Sequence, residues 1–178
     1  GDQLFPDFPP ELRRVKIPEE GVDLLGAPIL GSDSYFESFV RKKVINVHNM
    51  QNYLSDLDNP QVALHLLRSC LGQCKIAHLL RTLPPGSASE SFLLFDNNLR
   101  SSLESILCSS MDSASWHQAT LPISLGGLGI RSAANSSLPA FLGSRFSSRD
   151  IFDHLTAQVH SNSPSSFAQE ELLATAQL

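Results

Sequence analysis

Charge is scarce in this chain. Only 17% of its 178 residues are Asp, Glu, Lys or Arg, against ~25% in ordinary soluble domains. Ser, Asn and Gln fill the gap. Basic residues are the scarcer sign, 13 against 18 acidic ones, for a formal net charge of −5. That balance argues against a nucleic-acid binder working through its overall charge, but it leaves room for a local basic stripe. Cysteine is scarce too. Cys70, Cys74 and Cys108 are too few and too oddly numbered for a disulfide framework, so a reducing, intracellular compartment (cytoplasm or nucleus) is the expectation. No apolar run approaches the ~18–20 residues needed to span a bilayer, and no membrane partner is expected. The opening Gly1-Asp2-Gln3-Leu4-Phe5-Pro6 has neither a basic nor an apolar region of the signal-peptide kind. It also lacks an initiator Met, as expected of a piece cut from something longer.

Apolar residues are present in the normal amount, 42%. At this length they suffice for one domain with a real core. Residues 1–21 hold Pro6, Pro9, Pro10 and Pro18 and are expected to run as an extended arm. Val22 to Leu30 is a short apolar run between Gly21 and Gly31. It is expected to be a strand or half of a hairpin, with Pro28 keeping it at an edge.

Ser32-Asp33-Ser34 supplies a helix start, with Glu37 three residues after Ser34 as a capping box. A long helix to about Leu57 follows, because Phe36, Phe39, Val40, Val44, Val47, Met50, Tyr53, Leu54 and Leu57 recur at steps of three and four. Asp58-Asn59-Pro60 ends it and opens a second helix, with Pro60 at its first position. That helix is expected to bury Val62, Leu66, Leu67, Cys70 and Leu71. Gly72 either breaks or kinks it, and Ile76, Leu79, Leu80 and Leu83 continue the pattern to Pro84-Pro85. A third helix spans about Ala88–Ser109, with Phe92, Phe95, Leu99, Leu103, Ile106 and Leu107 as its core stripe. Asp112-Ser113 caps a short helix around Trp116. Leu121 to Ile130 is a loop or short strand. Ser132 or Asn135 opens a fourth long helix through Phe141-Leu142. The Ser-rich remainder carries two short amphipathic pieces, 149–159 and 165–177. The fold class is therefore mainly α, a bundle of about four to six helices with a small β-hairpin or strand element near the N-terminus.

Several constellations invite a chemical reading. Cys70, Cys74 and His78 fall at i, i+4 and i+8 and could begin a zinc site, with Cys108, His65 or His154 as a fourth ligand. Such a line spans about 12 Å along a helix, too far for its outer members to share one ion. Cys70 and Cys74 are better taken as small core residues, with no metal and no cofactor. Leu125-Gly126-Gly127-Leu128-Gly129-Ile130-Arg131 matches neither phosphate-loop fingerprint. It is expected to be a tight turn that lets a strand pack closely on the bundle, although an anion at the helix start after Arg131-Ser132 is physically allowed. Asp112, Ser115 and His117 are too local to form a catalytic triad. Glu19-Glu20 and Glu170-Glu171 sit in arm and tail, where solvation explains them, and Asp56 and Asp58 serve turn chemistry. The basic residues are more suggestive. Arg41-Lys42-Lys43 is the only dense positive cluster. Arg68, Lys75 and Arg81 recur at steps of seven and six along one side of the second helix, where they could track a phosphate backbone.

Taken together, several segments resemble a known family. Gly21-Val22-Asp23-Leu24-Leu25-Gly26-Ala27-Pro28-Ile29, followed by Gly31-Ser32-Asp33, is similar to the hairpin after the catalytic palm strands in reverse transcriptases of non-LTR retrotransposons. Leu64 to Gly72, Leu80-Arg81-Thr82-Leu83-Pro84-Pro85 and Phe95-Asp96 with Leu99-Arg100 resemble the helical thumb of such proteins. So do Trp116-His117-Gln118-Ala119 and the run Leu121-Pro122-Ile123-Ser124-Leu125-Gly126-Gly127-Leu128-Gly129-Ile130-Arg131-Ser132, the most specific block, with Ala140 to Ser144 behind it. The resemblance covers about residues 10–145 and leaves the tail from 146 unassigned.

The resemblance implies a primer-gripping hairpin and a thumb-like domain over 22–145. Leu25, Gly26, Ala27 and Pro28 would lie near the primer, and Arg41, Lys42, Lys43, Arg68, Lys75, Arg81 and Arg131 would face an RNA–DNA or DNA duplex. It also implies a partner, the palm and fingers of a polymerase. Those carry the carboxylates that hold two metal ions, and no Asp-Asp pair occurs in this chain. The chain is therefore expected to be inactive alone. Its acidic balance departs from the more basic thumbs of that family and opens a second reading, a relic domain serving as a helical protein-interaction module.

Overall fold

The computed structural model describes residues 21–84 and 86–157. The expected arm, except Gly21, and the piece expected at 165–177 lie outside the described residues, as do Glu19-Glu20 and Glu170-Glu171. Two antiparallel strands, β1 (Gly21–Leu24) and β2 (Ala27–Gly31), precede helices α1 (Asp33–Gln51), α2 (Pro60–Ser69), α3 (Ala77–Thr82), α4 (Ser89–Leu107), α5 (Ser113–Thr120) and α6 (Ala133–Ala157). Short 3₁₀ turns at Asn52–Asp56, Gln73–Lys75 and Ile123–Leu125 link them. The chain is thus mainly helical with one small N-terminal hairpin.

The hairpin turns on Leu25 and Gly26, both left-handed (φ +52° and +83°), the conformation that matches strand twist in a two-residue loop. Asp23 pairs with Pro28 and Val22 with Leu30, so Ile29 is the extra residue of a bulge. A bulge is one of the few places a sheet tolerates proline. Buried Ala27 and Pro28 hold the hairpin to the body, where β2 packs against α1 and α3.

α4 is the central element, packing on α1, α2 and α6. Its stripe Phe92, Phe95, Leu99, Leu103 and Ile106 is buried as expected, while Leu107 is exposed. α1 starts at Ser32, whose hydroxyl accepts from the Tyr35 N–H at 3.3 Å. The box expected at Ser34 and Glu37 does not form. Glu37 instead accepts from the Ser91 hydroxyl of α4 at 2.5 Å.

Val40, Val44, Val47 and Leu54 line the core, but Met50, Tyr53 and Leu57 are exposed. Gln51 is buried beside them. Its amide donates to the Leu71 carbonyl at 2.8 Å, so the α1 stripe closes on a polar residue that satisfies the chain end of α2.

Asn59 opens α2 by accepting from the Gln61 and Val62 N–H groups at 3.0 and 3.2 Å, with Pro60 at the first position. Of the expected core residues of this segment, Leu67 is buried, Leu66 and Leu71 half-buried, and Val62 and Cys70 exposed. Ala63 takes the inward place that Val62 lacks.

α6 runs unbroken past Leu142, through Pro139 and Gly143 and across position 145. The helix expected to begin at 149 is its continuation. The serines there do not break it, because Ser147 and Ser148 donate back to the carbonyls of Gly143 and Ser144 at 2.8 and 3.0 Å, a bond that helices tolerate.

Candidate nucleic-acid interface

The second helix of the sequence reading is three pieces: α2, the 3₁₀ turn at Gln73–Lys75 and α3. Arg68, Lys75 and Arg81 sit on one piece each, so their spacing of seven and six no longer aligns them on a single face. The same break disperses Cys70, Cys74 and His78. The three cysteines are free and exposed, which corrects the expectation that Cys70 and Cys74 are core residues. The Cys74 thiol donates to the Ser69 carbonyl at 3.4 Å. Among the described residues, no group of three or more His, Cys, Asp or Glu is placed to hold a metal ion.

Arg41, Lys42 and Lys43 are all exposed on α1. The Lys43 ammonium sits 6.0 Å from the ring of Phe39, which is half-buried against the core. Lys75 and Arg81 are exposed as well. Of the primer-grip-like residues, Leu25 and Gly26 form the exposed hairpin tip, while Ala27 and Pro28 are buried against the body. The hairpin exposes apolar side chains along its length: Leu24 and Leu25 at the tip, Ile29 at the bulge and Leu30 near the open end.

Two basic residues far apart in sequence do meet. Arg68 and Arg131 line one groove of about 590 Å³, whose walls come from α2, the Gln73–Lys75 turn, α3, the end of α5 and the loop after it. Gln73, Thr120, Ile123 and Gly129 also line it. Among the described residues no carboxylate does. Arg68 is half-buried, and its guanidinium lies 3.4 Å from His65 Nδ1. Among the described residues neither arginine forms an ion pair, whereas Arg100 pairs with Glu104 on α4 at 3.3 Å.

The glycine-rich loop forms the floor, and it is a turn rather than a strand. Leu128 and Ile130 donate to the Ala119 carbonyl, Gly129 to Leu121 and Gly127 to Pro122. This folds the loop hard against the end of α5. A Cβ on Gly127 would lie 2.1 Å from the Leu121 carbonyl oxygen, so only glycine fits. At Gly129 (φ +71°) a Cβ would lie 3.3 Å from Arg68 Cδ. These backbone N–H groups are consumed within the loop, so it presents no amide cradle of the P-loop kind.

The helix start after Arg131 does hold an anion, but the chain supplies it. Asp96, buried on α4, accepts from the Ser132 hydroxyl at 2.6 Å and from the N–H groups of Ala133 and Ala134 at 2.7 and 3.2 Å. Ser132 in turn accepts from Asn135 N–H at 3.1 Å. These bonds satisfy the donors that α6 would otherwise leave orphaned. Burial pushes the Asp96 carboxyl above the ordinary carboxylate range, and the three hydrogen bonds pull against it.

Asp112 does the same job in the open. It accepts from Ser115 N–H at 2.7 Å as the cap of α5, and its bonds to Ser115 hold its carboxyl below the ordinary range. Asp112 and Ser115 are therefore cap chemistry. Asp96 was open to discovery in the sequence, as a carboxylate four residues after Phe92 and three before Leu99 on the apolar face of α4.

Compared with protein-family models, with curated proteins and with solved structures, the chain matches none. Among the described residues no helix is long and apolar enough to cross a membrane.

Proposed function

We propose that this chain is a thumb-like gripping segment of a retroelement-type reverse transcriptase, non-catalytic by itself, that holds a template–primer duplex by its phosphates. The resemblance of its hairpin, helical and glycine-rich segments to that family motivates the reading. The observation that carries it is the convergence of Arg68 and Arg131, 63 positions apart in sequence, on one groove that no carboxylate lines among the described residues. A positive concavity gathers field more effectively than scattered exposed charges do. Chemistry would come from palm carboxylates on a partner portion, and an intracellular site, cytoplasmic or nuclear, suits such work.

The test is titration of an RNA–DNA hybrid at several salt concentrations, followed by fluorescence anisotropy. Affinity is expected to fall linearly on a log–log plot as counterions are displaced. Binding that ignores salt, or none at micromolar protein, overturns the reading. The exposed Leu24, Leu25, Ile29 and Leu30 of the hairpin favour a second one, a helical protein-interaction module, because several exposed apolar side chains on one small element are suited to a protein surface. A null titration would leave that reading standing.

A further inference from the structure

We propose that the groove between α2, α5 and the glycine-rich loop is a phosphate subsite, in which the Arg68 and Arg131 guanidiniums clamp a single phosphate and Gly129 keeps Arg68 in position. That the phosphate belongs to a nucleic-acid backbone rests on the gripping function proposed above. That the groove takes phosphate does not.

Four observations converge on it. Arg68 and Arg131 line the groove and, among the described residues, no carboxylate does, so an anion from outside is what would balance them. The loop amides are already spent on carbonyls of Ala119, Leu121 and Pro122. Recognition must therefore come from side chains, and a guanidinium fork matches the oxygens of a phosphate in pairs. The nearby start of α6 is closed to an outside anion because the Asp96 carboxylate fills it. Asp96 also fixes Ser132 and with it the chain direction at Arg131. Finally, glycine at 129 leaves room for the Arg68 stem: a methyl there would crowd Cδ at 3.3 Å, and the backbone (φ +71°) disfavours any side chain. Gln73, at the rim, offers an amide to a further oxygen.

Cys74 lines the same groove and is exposed, which provides an occupancy reading independent of duplex binding. In a chain carrying Cys70→Ser and Cys108→Ser, the rate of Cys74 alkylation by iodoacetamide would be followed with and without ligand. Two probes separate the sources of phosphate: an RNA–DNA hybrid and inorganic pyrophosphate. At about ten times Kd, either bound probe should slow alkylation about tenfold by mass action.

The proposal predicts protection by the hybrid, lost in Arg68→Gln/Arg131→Gln. Each single Arg→Lys change should retain charge but lose the fork, weakening binding about tenfold. Gly129→Ala should weaken it without touching either arginine. Protection by pyrophosphate but not by the hybrid would support the phosphate subsite and overturn the duplex reading. A hybrid that binds by anisotropy, leaves Cys74 alkylation unchanged and is indifferent to the arginine variants would overturn the subsite and spare the duplex reading. Protection by neither probe overturns the subsite. Arg131 is exposed and Arg68 half-buried outside the core, and circular dichroism of the variants confirms that the fold is kept.

Discussion

The two positive regions of this molecule differ in a way that residue spacing hides. Arg41-Lys42-Lys43 is the densest basic run in the sequence, yet on α1 it is three exposed side chains flanking buried Val40 and Val44. Arg68 and Arg131 are isolated in sequence, yet the fold sets both in one groove. Exposed charges on a convex helix are well hydrated and screened, and contribute little each. Charges that line one concave groove add their fields where a ligand would sit. Density along the chain is therefore a poor guide to where a ligand is gripped, and closure of the loop on α2 is a better one.

The largest expected effect removes the scaffold of the groove. Asp96→Ala strips the acceptor from Ser132, Ala133 and Ala134 and should cost about 2–4 kcal/mol, since buried donors are left unpaired. Urea unfolding measures this, and a loss under about 1 kcal/mol would contradict the role assigned to Asp96. Next, Arg68→Gln/Arg131→Gln should weaken hybrid binding about a hundredfold, by about tenfold for each charged hydrogen-bonding group lost. Arg41→Ala/Lys42→Ala/Lys43→Ala removes one more charge but should cost about tenfold or less, as exposed charges do. If the triple variant is the weaker binder, the ranking of the two regions is reversed.

A smaller effect separates the two capping carboxylates by pH. Asp96 has its carboxyl raised above the ordinary value of 3.8 by burial. The folded chain then holds that proton more tightly than the unfolded chain, so this group's contribution to stability falls as pH rises from 3.8 through the raised value. Asp112, held below 3.8 by Ser115, has the opposite sign: its contribution is present above 3.8 and is lost as pH falls through the lowered value. Stability measured against pH should lose the alkaline-going decline in Asp96→Asn and the acid-going decline in Asp112→Asn. Identical pH profiles for the two variants would refute the distinction.

The smallest effect belongs to neither basic region. Cys108 ends α4 in the left-handed conformation (φ +50°), where glycine is at ease and other residues are strained. Cys108→Gly should raise stability by about 0.5–1 kcal/mol and leave hybrid affinity unchanged.

What the sequence disclosed follows from what periodicity can see. The stripe of α4 and the Asn59-Pro60 start each rest on neighbouring residues and are where the residues place them, whereas the run Val22–Leu30, expected as a strand or half of a hairpin, is a whole hairpin turning at Leu25 and Gly26. The break between α2 and α3 was hidden because Ile76, Leu79 and Leu80 continue the apolar rhythm on the far side of the 3₁₀ turn, and all three are buried. The end of the stripe in α1 was misread because Gln51 is buried, and a polar residue in a core is visible only with its partner, here the Leu71 carbonyl. The length of α6 was missed because Pro139, Gly143 and a serine run argue against a helix that back-bonding from Ser147 and Ser148 sustains.

The glycine-rich loop was legible as a turn, and Gly127 shows why, but the groove it floors was not. Arg131 meets Arg68 only through a long-range closure that no local pattern encodes. The anion allowed at the start of α6 was likewise legible as a possibility of the helix. That Asp96 supplies it required the packing of α4 on α6.

The measurement closest to the central claim is the salt dependence of hybrid binding by the wild-type chain beside Arg68→Gln/Arg131→Gln. If both arginines hold one phosphate, the log–log slope of the double variant should be shallower than wild type by about 1, while each single variant, which still pairs one cation with that phosphate, should keep most of the wild-type slope. Parallel slopes for wild type and double variant would contradict the account, whatever the absolute affinities.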